Sequence, residues 1–477
     1  MTRPFPDHPM LRGNFAPILV ECDATDLVVH GDLPPDLIGT LYRNGPNPMY
    51  PPFGAKHHWF LGEGMVHAIH LEGGKAHYRN RYVKTAQFNA QREAGKRLVG
   101  TSFGEANGEG GEEVDRNVAN TNIVAHAGRL LALDEGSLPV AMDPNTLETV
   151  GSLDFNGHYS GPMTAHPKID PETGEYLCFG YMAGGPASPQ MSYSVVSPAG
   201  VLTRHDRFSA PFASMVHDFV ATKRHAIFPI FPATIDAERI MNGGPVIAWD
   251  PDAGTHFGIV GRDDGMETMR WFKGDPAYVY HFMNAYSVKS KKGTQVYVDA
   301  MKYDRVPLFP NADGSRGPSS SEGLDENGQF VRWSFDLDGA TDAYTEEKLC
   351  DIAGEFPRFD ERFAGLKYAH GFFATTRRPD EIDGSFDTLV HVDVTTGETT
   401  TWEPGKGCFV HEPIFVPRST EAPEGDGYLL SLVYDARRNL SDFVILDTED
   451  ISKGPIARAE LPVRVPFGFH GNWRPLP

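Results

Sequence analysis

The chain has 477 residues, of which 40% are hydrophobic and 11% aromatic, and its formal net charge is -21 at pH 7. This length suits one large all-β domain or two to three ordinary domains, and the 50 Gly and 38 Pro argue against a mainly helical protein. The acidity excludes a nucleic-acid partner, because no basic stripe offsets the repulsion between the chain and phosphates.

Signals for targeting and for disulfide formation are weak. No apolar run approaches the ~20 residues of a membrane-spanning helix, and the N-terminal segment MTRPFPDHPMLRGNFAP lacks the apolar centre of a signal peptide. The four cysteines lie far apart without a CxxC pair, which is typical of a reducing compartment. We therefore predict a cytoplasmic protein and leave a peripheral membrane contact open.

Short strands separated by turns predominate along the chain. Near positions 143, 170, 250 and 393 a loose pattern recurs, in which a strand, an aspartate-led polar turn and a second strand follow one another. At position 170 the turn reads DPETGE, and its proline and glycine favour a reversal of the chain. A recurring hairpin pattern in a chain of this length favours a β-propeller over a sandwich.

Seven blades would average about 68 residues, which is longer than compact propeller repeats and implies long loops. The segment 86–117 passes from basic to Gly- and Glu-rich and is predicted to be a surface loop. Helix is predicted only within 234–243. We therefore predict an all-β fold, a seven-bladed β-propeller with long loops and short helices capping the active-site face, formed by a single domain over 1–477.

Four of the 19 histidines lie in similar apolar, aromatic-rich, strand-like segments. A histidine is costly there unless its ring nitrogens have partners. A single such histidine would more often be a hydrogen-bonded core residue. The four are separated by 51, 64 and 189 residues, roughly one, one and three blades of about 68 residues, so the set predicts a metal site on the propeller axis. The four residues are His166, His217, His281 and His470.

Four further histidines flank or lie within the segment FLGEGMVHAIHL. They suit the lining of a mouth, but surface or core roles are favoured for them. These residues are His57, His58, His67 and His70.

Motifs that span nearly the whole chain carry a family resemblance. In chain order they are LYRNGPNP (41–48), FLGEGMVHAIHL (60–71), VANTNIVAHAGRLLALDEGSLP (118–139), TAHPKIDPETGE (164–175), MVHDF (215–219), HFMNAY (281–286), GEFPRFD (354–360), HEPIFVPR (411–418), EGDGYLL (424–430) and VPFGFHGNW (465–473). As an ordered set they are specific. The chain resembles the carotenoid cleavage oxygenases, a family that includes bacterial lignostilbene dioxygenases and isoeugenol-type oxygenases.

The resemblance implies one Fe(II) on the propeller axis, bound by the same four histidines. It also implies three glutamates behind the ligands and a threonine gate beside an open coordination position. Read alone, the glutamates would be solvated acids and the threonine equally a strand residue with a backbone hydrogen bond. A carboxylate behind an imidazole fixes its tautomer and strengthens it as a ligand. In this chain the glutamates and the threonine correspond to Glu135, Glu355, Glu412 and Thr121.

The implied reaction is the cleavage of a conjugated C=C bond by O2 into two carbonyl products. The substrate is a small apolar or aromatic alkene, either an aryl-alkene (phenylpropanoid or stilbenoid) or an apocarotenoid. Asp134 occupies a position at which members that cleave 4-hydroxystilbenes carry lysine. An aspartate cannot donate a charge-assisted hydrogen bond to a phenolate, so Asp134 argues against a 4-hydroxystilbene substrate. We predict a substrate tunnel lined by Trp59, Phe60, Phe103, Asp134, Phe282 and Phe469.

Two alternatives differ in function. Related isomerase-type enzymes use the same ligand set without inserting oxygen, and labelled O2 would separate them from an oxygenase. A non-catalytic propeller would instead bind a partner across its face, and it would show no bound metal and an exposed apolar patch at the mouth.

Overall fold

The structure is a computed structural model that describes residues 4–316, 326–378 and 386–476. Within these ranges short strands predominate. The strands β1 to β17 are, in order, Asp23–Ala24, Val29–Gly31, Gly39–Pro46, Gly64–Glu72, Lys75–Tyr82, Asn122–His126, Arg129–Leu133, Val140–Met142, Thr149–Ser152, Lys168–Ile169, Tyr176–Gly180, Gln190–Val196, Leu202–Ser209, Val220–Ala221, His225–Ile230, Ala233–Thr234 and Ala248–Trp249. The strands β18 to β33 are Thr255–Gly261, Arg270–Gly274, Tyr278–Ser290, Gly293–Tyr303, Gln329–Asp336, Thr345–Lys348, Glu355–Phe359, His370–Thr375, Thr388–Asp393, Thr399–Trp402, Cys408–Val410, Ile414–Pro417, Gly427–Asp435, Leu440–Asp447, Pro455–Glu460 and Gly471–Pro475.

Seven antiparallel sheets of four to six strands account for almost all of these elements. The described residues fall into two compact units, the first comprising Met1–Ala165, Arg377–Thr388 and Trp402–Pro477 and the second His166–Thr376 and Leu389–Thr401. The first unit contains the sheets β1-β5-β4-β3-β33, β6-β7-β8-β9 and β2-β32-β31-β30-β28, in which β29 also pairs with β30. The second contains β10-β11-β12-β13, β14-β15-β18-β19, β20-β21-β22-β23 and β24-β25-β26-β27, with a separate pair β16-β17. That the whole chain is a single domain stays a prediction.

In the first unit, strands from the two ends of the chain share sheets. The C-terminal strand β33 pairs with β3, with Leu41 opposite Trp473, and β2 pairs with β32. Apolar side chains from both of these sheets form one buried cluster, in which Ile69 and Tyr78 pack with Ile445. Because β33 is fixed between β3 and this cluster, the residue just before it has a defined position. That residue is His470.

In the second unit, the sheets β20-β21-β22-β23 and β24-β25-β26-β27 pack face to face through a cluster that includes Met283, Met301, Phe330, Phe373 and Val390. All five side chains are at most 2% exposed. Burial of this apolar surface stabilises the first strands of both sheets, and these strands begin near His281 and at Glu355.

The predicted aspartate-led turns are confirmed at three of four positions. At Asp143, Asp170 and Asp393 the aspartate N–H donates to the carbonyl of the residue five positions on, and the aspartate carbonyl accepts an N–H from the residue four positions on. In DPETGE this turn joins β10 to β11, and Gly174 has the positive φ of 70° that it requires. Near 250 the predicted strands lie on either side of the turn, but they do not form a hairpin: β17 pairs with β16, whereas β18 pairs with β15.

The two α-helices in the described ranges are α1 (Ala86–Ala94) and α2 (Ala237–Met241). The second confirms the predicted helical turns. The first corrects the loop predicted at 86–117: Thr85 caps α1 by accepting the N–H of Phe88 at 3.1 Å, and Gly95 ends it at φ 64°. Single turns of 3-10 helix lie at Pro9–Leu11, Gly13–Phe15, Trp59–Leu61, Pro251–Ala253, Met266–Thr268, Glu361–Phe363 and Ile451–Lys453. No helix among the described residues is long and apolar enough to cross a membrane.

Candidate metal centre

The four predicted histidines occupy equivalent places in four sheets. His166 lies just before β10, His217 just before β14 and His470 directly before β33, whereas His281 lies near the start of β20. Each of these strands is at the edge of its sheet. Since equivalent strands present their first residues in the same way, the blade-like spacing in the sequence reflects a structural equivalence.

One ring nitrogen from each of the four histidines lies within 4.8 Å of the corresponding nitrogen of the other three. The Nε2 atoms of His166 and His217 are 3.0 Å apart, and those of His217 and His281 are 3.2 Å apart. Three of the side chains are buried, and that of His281 is 12% exposed. The structure therefore brings all four predicted ligands together.

These distances fit a metal ion. Two imidazole nitrogens about 2.1 Å from an ion and at right angles to each other are about 3.0 Å apart. Lone pairs that face each other at such distances repel in the absence of a shared proton or cation. Four neutral nitrogen donors suit a divalent transition metal such as iron better than magnesium or calcium, which prefer oxygen ligands.

The ring of His281 is oriented by Glu355. Oε2 of Glu355, a residue that is 5% exposed, accepts a hydrogen bond from Nδ1 of His281 at 2.5 Å and another from the backbone N–H of Phe356. Because a carboxylate only accepts, the imidazole proton is on Nδ1 and the Nε2 lone pair faces the cluster. The ring of Phe356 stacks on His281 at 5.4 Å, and this residue has a φ of 54°. Such local strain is typical of functional sites.

The ring of His470 is oriented by Glu412 in the first unit. Oε1 of Glu412 accepts from Nδ1 of His470 at 2.8 Å, and Oε2 accepts the N–H of Gly471 at 2.8 Å. The same Oε2 is 3.3 Å from the guanidinium of Arg43, whose side chain is 3% exposed. The negative charge of Glu412 is therefore offset by a buried cation, and the tautomer of His470 is fixed as in His281.

Asp218 connects three of the ligand-bearing segments in the second unit. It follows His217, and its carboxylate accepts from Nζ of Lys168 at 2.7 Å and from the backbone N–H of Phe282 at 3.1 Å. Its Oδ1 also accepts the N–H of Phe219 at 2.7 Å. Asp218 was not among the residues predicted from the sequence. The available signal was a buried acid in the apolar motif MVHDF, directly after a candidate ligand.

The predicted gate, Thr121, lies directly before β6 and is partly exposed. Its N–H donates to the carbonyl of Leu133 at 2.8 Å, and its own carbonyl accepts the N–H of His470 at 3.1 Å. Its hydroxyl donates to Oδ1 of Asn120 at 3.0 Å. Thr121 therefore makes the backbone hydrogen bonds of the alternative interpretation, while its role as a gate stays a prediction.

Asp134 and Glu135 lie in the turn after β7. The Asp134 carboxylate accepts the N–H of Val118 at 3.1 Å and that of Gly136 at 2.8 Å. Burial raises the pKa of Asp134 to about 6, against the opposing effect of these hydrogen bonds. Asp134 thus orders the turn, and its place in the substrate tunnel stays a prediction. Glu135 is half-buried, and its predicted pairing with a ligand histidine also stays a prediction.

Three of the predicted tunnel aromatics form one group in the first unit. The ring centroid of Phe469 is 4.4 Å from that of Trp59 and 5.5 Å from that of Phe60. Phe103 is 38% exposed and contacts this group through His58. In the second unit Phe282 stacks on Phe231 at 6.5 Å. That these side chains line a tunnel stays a prediction.

Comparison with known proteins identifies the family. A family model described as retinal pigment epithelial membrane protein matches residues 15–475. The chain belongs to the carotenoid cleavage oxygenase family. Isoeugenol monooxygenase of Pseudomonas nitroreducens is 39% identical over 480 residues, covering 98% of this chain and 98% of that protein. Resveratrol cleavage oxygenase 1 of Aspergillus fumigatus is 37% identical over 486 residues, covering 98% of this chain and 96% of that protein.

A solved structure extends this result to the fold of the whole chain. The lignostilbene dioxygenase of Pseudomonas brassicacearum is 39% identical to this chain, with a TM-score of 0.94 and coverage of 100% of both chains. The predicted seven-bladed β-propeller is thereby confirmed. Members of the carotenoid cleavage oxygenase family are iron-dependent oxygenases, and this chain is an alkene-cleaving enzyme of that family.

Proposed function

We propose that this carotenoid cleavage oxygenase binds one Fe(II) through His166, His217, His281 and His470 and cleaves the conjugated double bond of an aryl-alkene. The observation that carries the proposal is the convergence of four imidazole nitrogens within 4.8 Å. Each alkene carbon takes one oxygen atom of O2, so that one C=C bond and one O2 give two C=O groups. The balance requires no external reductant.

The chain's own residues prepare the site for this reaction. When bound, iron supplies the redox-active centre at which O2 is activated. Glu355 and Glu412 keep a proton on Nδ1 of their histidines and direct Nε2 inward. Among the described residues Glu355 makes no ion pair with lysine or arginine, so its negative charge would also offset a dication at a distance. The aromatic group around Trp59 and Phe469 excludes water and offers apolar faces to an aryl ring.

The names of relatives favour the aryl-alkene over the apocarotenoid. The two relatives described above are named for isoeugenol and resveratrol, and the solved structure is a lignostilbene dioxygenase. Each of these names denotes an aryl-alkene. The same names differ on the number of oxygen atoms inserted, since one relative is a monooxygenase and another a dioxygenase.

Labelled oxygen provides the decisive test. Iron-loaded protein is incubated with isoeugenol and 18O2, and the aldehydes are reduced at once with borohydride to prevent exchange with water. We expect the label in both products. Label in one product would indicate a monooxygenase, and unlabelled products would indicate the isomerase-type alternative. Protein that binds no iron after anaerobic loading and cleaves nothing would favour the non-catalytic propeller.

We also propose a cytoplasmic location. Cys22, Cys178, Cys350 and Cys408 form no disulfide in the structure, which is typical of a reducing compartment. Protein denatured without reductant should therefore react with a thiol reagent at all four cysteines. The peripheral membrane contact stays a prediction, and co-sedimentation with anionic lipid vesicles tests it.

A further inference from the structure

Two further histidines bring their ring nitrogens together in the second unit, on the paired strands β25 and β26. Nδ1 of His370 is 3.0 Å from Nε2 of His391, and the ring centroids are 5.2 Å apart. The nitrogens of His166 and His217 in the metal centre are separated by the same 3.0 Å. Both His370 and His391 are half-buried, so ions in solution can reach them. We call these two residues the histidine pair.

The neighbouring backbone and an aromatic ring hold the histidine pair in place. His370 begins β25, and the N–H of Val394, directly after β26, donates to the carbonyl of Ala369 at 2.7 Å. The ring of His391 stacks on that of Phe372 at 4.8 Å and 20°. Two imidazoles are therefore held at a separation that an ion about 2.1 Å from each nitrogen would span at right angles.

The charges around the histidine pair suit a cation. Burial and the neighbouring His370 lower the pKa of His391 to about 4, so that its ring is neutral at pH 7. The carboxylate of Asp393 acts on the same pKa in the opposite direction. Because side chains two residues apart lie on the same face of a strand, Asp393 adds negative charge beside the ring of His391. Without an ion, the two facing nitrogens share one proton as a hydrogen bond.

The histidine pair is remote from the four-histidine centre. Glu355, which orients His281, lies opposite Ala374 in β25, and His370 is at the other end of that strand. Four residues of a strand span about 13 Å. An ion at the histidine pair would therefore not share ligands with the metal centre.

We propose that His370 and His391 form a second metal site, which binds a divalent ion of the Ni2+ and Cu2+ type. Such ions take imidazole ligands at right angles and bind nitrogen donors more tightly than Fe2+ does. The ion would be held by Nδ1 of His370 and Nε2 of His391, with water in its other positions. The inference does not depend on the proposed function.

A second cross-strand pair in the chain is the matched control. His70 and His77 lie opposite each other on β4 and β5, with their rings 6.0 Å apart. The nitrogens of His70 contact the hydroxyl of Thr40 at 3.0 Å and the carboxylate of Glu72 at 3.3 Å, and Nδ1 of His77 accepts the N–H of Asp26 at 3.1 Å. Two histidines are thus adjacent here without nitrogens that face each other, and they should not chelate an ion.

Calorimetric titration of the iron-loaded full chain with Ni2+, under argon, tests the inference. Iron content is measured before and after, to show that the metal centre stays occupied and the variants are folded. The wild-type chain should bind about one Ni2+ at the histidine pair. His370→Phe and His391→Phe each remove one of two ligands and should weaken this binding at least about tenfold. His77→Phe should change it by less than about twofold.

Thermal unfolding provides a second readout. Saturating Ni2+ should raise the Tm of the wild-type chain, because the ion binds the folded pair, and should leave that of His391→Phe unchanged. Absence of Ni2+ binding by the wild-type chain, or equal binding by the wild type and both variants of the pair, would overturn the inference. An equal loss of binding in His77→Phe would overturn it as well.

Discussion

His470 and His281 are each held by hydrogen bonds from the same two donors, the Nδ1–H of the ring and the backbone N–H of the following residue. The acids that accept these bonds differ between the two histidines. At His470 a single side chain, that of Glu412, accepts both hydrogen bonds. Glu412 accepts Nδ1–H of the ring through Oε1 and the N–H of Gly471 through Oε2, each at 2.8 Å. Arg43 lies 3.3 Å from the same carboxylate.

At His281 the two hydrogen bonds are accepted by two different acids. Glu355 accepts Nδ1–H of the ring at 2.5 Å, and Asp218 accepts the N–H of Phe282 at 3.1 Å. Among the described residues Glu355 makes no ion pair with lysine or arginine, whereas Asp218 pairs with Lys168, a side chain 28% exposed. One anchor therefore depends on a single carboxylate with a buried counter-ion, and the other depends on two carboxylates with separate surroundings.

Two histidines can therefore be held in the same ligand geometry and still differ in how strongly they respond to substitution of the supporting acids. Loss of Glu412 removes the ring anchor and the backbone anchor together, and it removes the carboxylate that faces the buried guanidinium of Arg43. Loss of Glu355 or of Asp218 removes one anchor at a time. Variants of these acids should consequently differ in which property fails, metal affinity or the free energy of unfolding.

Removal of a ligand histidine should cause the largest loss of metal binding, whichever of the two anchored histidines is removed. His281→Ala or His470→Ala leaves three imidazoles, and we expect iron content to fall from about one ion per chain to near zero after anaerobic loading. Elemental analysis of desalted protein measures it, and His158→Ala is the control. Retention of a full ion by both variants would contradict the assignment of these residues as ligands.

Glu412→Gln should cause the second-largest loss of metal affinity. The amide keeps one acceptor for two donors and carries no charge, so we expect metal affinity to fall about 100-fold. Arg43, which is 2% exposed, would lose its counter-ion, and we expect the free energy of unfolding of the metal-free protein to fall by about 3 kcal/mol. Metal titration and urea denaturation measure the two effects separately.

The double variant Arg43→Met/Glu412→Gln is the matched control for that prediction. Because this variant also lacks the buried guanidinium whose charge Glu412 balances, the free energy of unfolding should recover most of its loss, while metal affinity stays low. Recovery of both properties would show that Glu412 acts through the stability of the fold rather than through His470.

Glu355→Gln should affect metal affinity more than stability. The amide oxygen can still accept Nδ1–H of His281, and no cation is stranded, so we expect affinity to fall about tenfold and unfolding to change by less than about 1 kcal/mol. Parallel metal titrations of Glu355→Gln and Glu412→Gln measure the contrast. Equal losses of affinity and stability in the two variants would contradict the distinction between a shared and a divided anchor.

The four metal ligands could be predicted from the sequence, but the charged residues that hold them in place could not. His166, His217 and His281 share an apolar setting and a spacing of about one blade, and these properties are visible in one dimension. The supports are not visible in this way, because Asp218 contacts residues 50 and 64 positions away, and Arg43 is 369 residues from Glu412. Such pairs depend on how blades pack, and no local pattern encodes that packing.

The predicted glutamates show the same limit. Glu355 and Glu412 came from family resemblance, since an isolated glutamate beside a strand is usually solvated. Helix α1 was a different kind of miss. Thr85 and Gly95 are its caps and were present in the sequence, but the Gly- and Glu-rich composition of the following residues favoured a loop. Local capping chemistry outweighed the composition of the wider segment.

The smallest effect is expected at the backbone anchor of His281. Asp218→Asn keeps one acceptor for the N–H of Phe282 but loses the charge that Lys168 contacts, so we expect metal affinity to fall about threefold and unfolding to weaken by about 1–2 kcal/mol. Lys168→Met removes only a partly exposed ion pair and should cost less than about 1 kcal/mol without changing metal affinity. Metal titration of both variants separates the two contributions. If Lys168→Met lowered metal affinity as much as Asp218→Asn, the ion pair rather than the contact with the Phe282 amide would be the second anchor of His281, and the division of tasks between Glu355 and Asp218 would have to be abandoned.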